Sequence, residues 1–482
     1  MKIIIKKTDE TTFPGDALIL PLSEEDNIRP YKEIDEKLNG LLKKIIDSGE
    51  FSGKQNEISL LHTGGKIKPL RVLLIGLGKR NEVTRDKMRQ AGGKACSYLR
   101  NLNVRDVALS TRTITSLKLM PADFAEGGLL SLYRFEKYKK EELTGGLKSI
   151  TILSSKDLKK EMKWTKAAAA ATHLARDLVN TPSNDMTPSV LVKYAQSLEK
   201  VSIRVIERNR AEKLGLGAYL SVARGSAEPP KFIVITYKKK NIPPIALIGK
   251  SITFDSGGIS LKPARGMELM KYDMAGGAAV LGVMKAASEM DLPLHIIAVL
   301  PATENLPGGR ASKPGDVVRT MEGKSIEIIS TDAEGRLALA DAIEYVKKFK
   351  PSAIIDIATL TGACSIALGN EAIAMMGNDD SLMRKIEKAS EDTGERVWQM
   401  PLFDEYKDYI KSDIADLKNS SGRSGSLVTS GYFLKEFAGN TSWVHLDIAG
   451  TAWTGKERPY IPVGATGSGV RLLISFLRNL QK

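Results

Sequence analysis

The chain has 482 residues, 42% of them hydrophobic and 27% charged, which excludes a disordered, collagenous or low-complexity protein and leaves room for two or three domains with their own cores. Lys plus Arg outnumber Asp plus Glu by 71 to 57, a formal charge of +14. Two cysteines, Cys96 and Cys364, exclude a disulfide framework and fit a reducing compartment. No run approaches the roughly 18 uncharged apolar residues of a membrane span, so the sequence reads as cytoplasmic.

In the first part, strands are expected at Lys2–Ile5, Ala17–Leu20, Val72–Ile75, Val107–Leu109 and Ile150–Leu153. Helical periods lie between them, around Tyr31–Asp47, Arg85–Asn101 and Ala122–Phe135. The segment KDLKKEMKWTKAAAAATHLARDLVN is rich in strong helix formers and predicts a long linking helix that ends before TPSNDMTPS, where Pro182 and Pro188 enforce a loop. Further on, strands are expected at Ile203–Ile206, Phe232–Tyr237, Ile245–Ile248, His295–Val299, Ile326–Ile329, Ala353–Ile357 and Trp443–Leu446. They alternate with helices near Ser189–Leu198, Ala275–Ala287, Arg336–Phe349, Ser381–Thr393 and Gly469–Leu480. This is α/β architecture: an N-terminal α/β domain over 1–155, a linking helix over 156–182, and a larger domain over 183–482 whose mixed, mostly parallel sheet is flanked by helices.

Charge is uneven along the chain. Residues 1–165 carry 31 basic and 22 acidic side chains, and residues 166–482 carry 40 and 35. The N-terminal excess could attract a phosphate backbone, but the basic residues are interleaved with acidic ones and no aromatic ladder accompanies them, which favours plain solubility. The runs KYKKEE at 137–142 and YKKK at 237–240 read as solvated surface. GLGKRN at 76–81 lacks the third glycine of a dinucleotide site, and the sequons at Asn419 and Asn440 carry no meaning in a cytosolic protein.

Four features lie in loops at the ends of expected strands, where open α/β sheets bind ligands. In IALIGKSITFDSGGISLKP, Lys250 and Asp255 alone would most simply be an ion pair ordering a loop, but Gly257 and Gly258 permit close backbone approach to something bound. In MELMKYDMAGGAAVLG, Asp273 precedes a helix and taken alone reads as a cap. In STDAEGRLALADA, Asp332 and Glu334 share a short turn with Arg336 two residues on, and DIATLTGA supplies a pocket wall or core. Three aspartates and a glutamate converging in one crevice repel each other, and two divalent cations held by shared carboxylates would relieve that repulsion and suit the activation of water. His62, His173, His295 and His445 show no paired metal spacing and read as structural.

The strings GKSITFDSGGISLKP, MKYDMAGGAAVLG, STDAEGRLALADA and ATLTGA, in that order, resemble the leucyl aminopeptidase family of di-zinc exopeptidases, also called cytosol aminopeptidases. ARDLVNTPSN at 175–184, LPATENLPGGRASKPGDVV at 300–318, SDIADLKN and HLDIAGTAW extend the likeness over residues 170–482. The resemblance implies a metal-dependent aminopeptidase with two divalent ions per subunit, Zn²⁺ or Mn²⁺, with Mg²⁺ a candidate at the exchangeable position. It implies Lys250 and Asp273 on the tighter ion, Asp255 and Glu334 on both, and Asp332 on the second. Lys262 would polarise the scissile carbonyl, and Arg336 would hold a bicarbonate serving as general base. Met270, Thr359 and Gly362 would line an apolar slot for a leucine-like first side chain. Short peptides would be the substrates, and a homohexamer built as a dimer of trimers is implied.

Ser330 stands where the family commonly has Asn, Ser251 where Gly follows the lysine ligand, and Ala275 where Gly follows Asp273-Met274. These bear on specificity and metal preference rather than reaction class. Two other readings compete: a DNA-binding role resting on the basic N-terminal part, and a catalytically silent scaffold, which the complete set of ligand positions disfavours.

Overall fold

In the computed structural model, which describes residues 1–140 and 146–481, the chain divides into two compact units: Met1–Ala169 with Lys456–Val463, and Ala170–Gly455 with Gly464–Lys482. The eight residues Lys456–Val463, expected in the second part, thus belong to the first unit. The long helix spans Lys159–Asn180 and crosses the division.

The first unit is built on β1 (Lys2–Lys6), β2 (Ala17–Leu22), β3 (Ile58–His62), β4 (Arg71–Gly76), β5 (Asp106–Ser110) and β6 (Ser149–Leu153). Their order is β1-β6-β5-β2-β4-β3, with β3 alone antiparallel to its neighbour. Strand β2 is buried along its whole length, as expected of a parallel strand covered on both faces. The helix expected over Tyr31–Asp47 is broken: helices Lys32–Lys37 and Leu41–Asp47 are separated at Asn39 and Gly40, whose φ values of 60° and 75° are left-handed and end a helical run. Of KYKKEE, residues 137–140 are exposed and 141–142 lie outside the described residues.

The second unit holds a mixed nine-stranded sheet. In chain order its strands are β7 (Ser202–Ile206), β8 (Lys231–Lys238), β9 (Ile245–Gly249), β10 (Ser251–Asp255) and β11 (His295–Asn305). A separate small sheet contains β12 (Val317–Arg319), β13 (Ser325–Glu327) and, later in the chain, β17 (Leu417–Lys418); the main sheet is completed by β14 (Ala353–Ala358), β15 (Ile373–Gly377), β16 (Val397–Gln399) and β18 (Trp443–Asp447). The main order is β16-β15-β18-β14-β9-β11-β8-β7, with β10 added beside β11. Strands β18, β14, β9, β11 and β10 are mutually parallel, so their C-terminal ends reach one edge. There the register pairs Ile357 with Gly249, Ala358 with Asp447, and Asp255 with Asn305.

Helix Ala275–Glu289 approaches that edge at backbone contact. A Cβ on Gly276 would stand 2.1 Å from the Ile357 carbonyl oxygen, and the Gly277 N–H donates to the Lys250 carbonyl at 2.7 Å. Only glycine fits there, and that contact fixes the start of the helix against the residue that follows β9.

Candidate active site

Lys250 follows β9, Asp255 closes β10, Thr359 follows β14, and Asp273 lies on the 3-10 helix Met267–Met274. Glu334 is the first residue of helix Glu334–Lys347. Lys250, Asp255, Asp273 and Glu334 are all buried, and oxygens of the three carboxylates lie within 4.8 Å of one another. The Lys250 ammonium sits among them, 2.9 Å from Glu334 Oε1 and 2.8 Å from each oxygen of Asp273, donating to Oδ1 and to the Thr359 carbonyl. The Thr359 hydroxyl donates to the same Asp273 oxygen at 2.8 Å. Asp273 is therefore not a helix cap. The capping position of Ala275–Glu289 is Met274, and the carboxylate turns into the sheet edge where buried donors face it.

A second ion-paired group adjoins the first. Lys262 bonds to Asp255 Oδ2 at 2.8 Å and to Asp332, whose side chain is 38% exposed and lies outside the cluster of three. Lys250 thus pairs with Asp273 and Glu334, while the partner of Asp255 is Lys262. Arg336 is buried; its Nη1 donates to the Asn419 carbonyl at 2.6 Å, and its Nε has no hydrogen-bond partner among the described residues. Met270 is half-buried on its 3-10 helix, and Gly362, which opens helix Gly362–Leu368, is exposed; both lie outside the hydrogen-bonded cluster.

Electrostatics follow from this crowding. Burial, then repulsion from Glu334, raises the pKa of Asp255, and burial with repulsion from Asp255 and Glu334 raises Asp273 further, against the pull of Lys250. Burial also raises Asp332, although Lys262 opposes it. For Lys250 burial favours the neutral amine, but Asp273, Glu334 and Asp255 outweigh it and the ammonium is strengthened; the same contest at Lys262 is won by Asp255, Glu334 and Asp332. Burial lowers Arg336 to about 10, with Glu334, Asp447 and Asp332 resisting.

Two residues unnoticed in the sequence as functional hold the site together. Asn305, at the end of β11, donates from Nδ2 to Asp255 Oδ1 at 2.8 Å and to the Thr331 carbonyl at 3.0 Å. Asn419, after β17, accepts at Oδ1 from the Ile329 and Ser330 N–H groups and donates from Nδ2 to the Ser330 and Ala333 carbonyls. Both lie in stretches that carry the family likeness, LPATENLPGG and SDIADLKN, which was the only available signal. Ser330 Oγ accepts from the Asp332 N–H at 3.3 Å, a local turn that stabilises the acidic loop, and Ser251 Oγ donates to the Gly249 carbonyl at 2.8 Å. His445 is fully buried against Asp356 on the neighbouring strand, which also takes the indole N–H of Trp443 at 2.7 Å.

The donor set can be tested for fit to metal. Glu334 Oε2 is sealed from solvent without a hydrogen-bond partner among the described residues, which is costly unless something electropositive meets it; Asp273 Oδ2, equally sealed, faces the Lys250 ammonium at 2.8 Å. Three buried carboxylates with oxygens within 4.8 Å of one another and a lysine nitrogen among them match the hard and intermediate divalent ions. The residues fit.

Comparison with known proteins agrees along the whole chain. The model of the cytosol aminopeptidase family catalytic domain matches residues 173–474, and that of the family's N-terminal domain matches residues 19–142. The chain belongs to the cytosol aminopeptidase family. It is 46% identical to a probable cytosol aminopeptidase of Geobacter sp. (strain M21), over 99% of this chain and 100% of that one. It is 46% identical to another from Geotalea uraniireducens, over 94% of each. A solved mutant of tomato leucine aminopeptidase superposes with a TM-score of 0.90 at 31% identity, covering 99% of this chain and 96% of that one. The bottromycin maturation enzyme BotP in complex with Mn gives 0.87 at 31%, covering 97% and 100%. This family member is a metal-dependent aminopeptidase, a hydrolase with a divalent metal cofactor. Among the described residues, no helix is long and apolar enough to cross a membrane.

Proposed function

We propose that this aminopeptidase removes N-terminal residues, preferably leucine-like ones, from short peptides in the cytoplasm with two divalent ions per subunit. The observation that carries the reading is the convergence of three buried carboxylates, Asp255, Asp273 and Glu334, within 4.8 Å of one another beside the Lys250 ammonium, with Glu334 Oε2 sealed and without a hydrogen-bond partner among the described residues. Lys250 and Asp273 would hold one Zn²⁺ or Mn²⁺ ion, Asp332 the second and more exchangeable one, which Mg²⁺ could also fill, and Asp255 and Glu334 both. When bound, the ions supply a water acidified to near-neutral pKa and Lewis-acid polarisation of the peptide carbonyl.

The chain's own groups do the rest. With its carboxylate partners committed to metal, the Lys262 ammonium is available to the scissile carbonyl, where it stabilises the charge that grows on oxygen. Arg336, tethered at Nη1 and carrying a buried Nε with no hydrogen-bond partner among the described residues, suits a small planar anion; bicarbonate there would accept the proton of the attacking water. Met270, Thr359 and Gly362 would border the slot for the first side chain. Assembly as a homohexamer, a dimer of trimers, belongs to the same reading. The exposed Trp398, Phe403 and Ile414 are apolar surface of the kind such an assembly covers.

The test is hydrolysis of leucine amide or leucine p-nitroanilide by purified protein, with chelator and then with Mn²⁺ or Zn²⁺ restored. Chelator-sensitive release recovered by metal is expected; no release under any metal would overturn the reading.

A further inference from the structure

Asn419 is 0% exposed, and its carboxamide makes the full set of four hydrogen bonds that such a group can make. All four go to residues 329–333, the segment between β13 and helix Glu334–Lys347 that carries Asp332 and leads into Glu334. The Asn419 main-chain carbonyl meanwhile accepts Arg336 Nη1 at 2.6 Å. We infer that Asn419 is a positioning residue, holding Asp332, Glu334 and Arg336 in one register for the metal-dependent reaction. The inference rests on the functional reading above.

Its placement is set by the small sheet. Strands β13 and β17 run parallel with Ile326 beside Leu417 and Glu327 beside Lys418, and the Asn419 N–H continues the ladder to the Glu327 carbonyl at 2.9 Å. This pairing delivers the carboxamide alongside residues 329–333, about ninety positions earlier in the chain. The loop's own contacts tie it elsewhere: the Thr331 N–H donates to Ser260 Oγ at 3.1 Å, and the Thr331 hydroxyl donates to the Gly257 carbonyl at 2.6 Å. Asn419 therefore anchors the outer side of a loop whose inner side is fastened to the segment following Asp255. Carboxylate ligands must be placed to within about 0.2 Å to bind a metal ion well. A loop released on one side loses that precision even while the fold persists.

Asn378 provides an internal control. It is an exposed carboxamide of the same unit that makes three hydrogen bonds: Nδ2 donates to the Gly439 and Thr441 carbonyls and Oδ1 accepts from the Trp443 N–H, and none of these partners is a candidate site residue. Asn419→Ala, Asn419→Ser and Asn378→Ala would be titrated with Mn²⁺ alone by calorimetry, melted, and assayed for leucine p-nitroanilide hydrolysis. All three should melt a few degrees lower. Asn419→Ala should bind Mn²⁺ about 10- to 100-fold more weakly, the usual cost of losing a group that orients a metal ligand, and should lose kcat more than KM. Asn419→Ser, which keeps one acceptor, should fall between, while Asn378→Ala should keep wild-type Mn²⁺ affinity and kcat within about twofold. Mn²⁺ affinities of both Asn419 variants within twofold of Asn378→Ala would overturn the inference. Wild type that binds Mn²⁺ yet releases no leucine would overturn the aminopeptidase mechanism alone, because the affinity comparison still decides the role of Asn419.

Discussion

Gly335 separates Glu334 from Arg336 in the first turn of its helix, and a Cβ built on it would stand 2.4 Å from Lys250 Cε and 2.7 Å from Nζ. In Gly335→Ala the lysine tail must withdraw by about 1 Å to reach ordinary van der Waals separation. It cannot do so freely, because Nζ is bonded to Asp273 Oδ1 and the Thr359 carbonyl. Two energies then oppose each other. Alanine gains about 0.5–1 kcal/mol over glycine in a helix, and overpacking a filled interior costs about 1–3 kcal/mol. The net loss is at most about 2.5 kcal/mol, several degrees of melting temperature in a unit of this size. A misplacement of about 1 Å at the reacting centre, by contrast, costs on the order of 100-fold in turnover. The variant should therefore melt within several degrees of wild type by circular dichroism and hydrolyse leucine p-nitroanilide about 100-fold more slowly at saturating Mn²⁺. Turnover within threefold of wild type would refute the argument that the site requires Lys250 where it now sits.

Asp332→Ala should abolish metal-supported turnover, whereas Lys262→Ala should keep its metal content by elemental analysis and lose most of kcat. Equal metal loss in both would erase the division between ligand and catalyst. Burial disfavours the His445 imidazolium, but Asp356 and Asp447 outweigh it, so the pKa lies above its ordinary 6.5. The stability that this charge contributes is complete below pH 6.5 and is lost as the pH rises through the raised value. His445→Gln should flatten the fall of unfolding free energy above pH 6.5 in urea titrations, and a wild-type slope would show that another group titrates there.

Much of the fold was legible because buried parallel strands announce themselves as unbroken apolar runs. Ala17–Leu20 and Ile245–Ile248 needed only a residue or two of extension. Strand β10 escaped because its residues Ser251–Asp255 alternate polar and apolar inside what looked like a motif loop, and helix Ser426–Ala438 because Thr429 and Gly431 dilute its period. The acidic positions were visible as residues, but the pairings were not. Lys250 reaches 23 and 84 positions along the chain to Asp273 and Glu334 and leaves the nearer Asp255 to Lys262. The cap that Asp273 suggests when taken alone is absent for the same reason: a local rule loses to buried donors supplied by distant strands. Asn419 was dismissed as a sequon because nothing local to KNSS reveals a loop arriving from residues 329–333.

The strip Lys456–Val463 gives the first unit a timetable. Tyr460 packs with Leu130 and Ala169, its hydroxyl reaches Asp86 Oδ1 at 2.5 Å, and the Pro459 carbonyl lies so close to Gly93 that a Cβ there would stand 2.3 Å away. All of these partners precede residue 170 in the order of synthesis. At roughly 5–20 residues per second, the strip leaves the ribosome about 15–60 s after the rest of the unit. Through that interval the nascent chain carries an uncovered apolar seam beside Leu130, and the unit cannot be excised as the continuous fragment 1–169 without keeping that seam open.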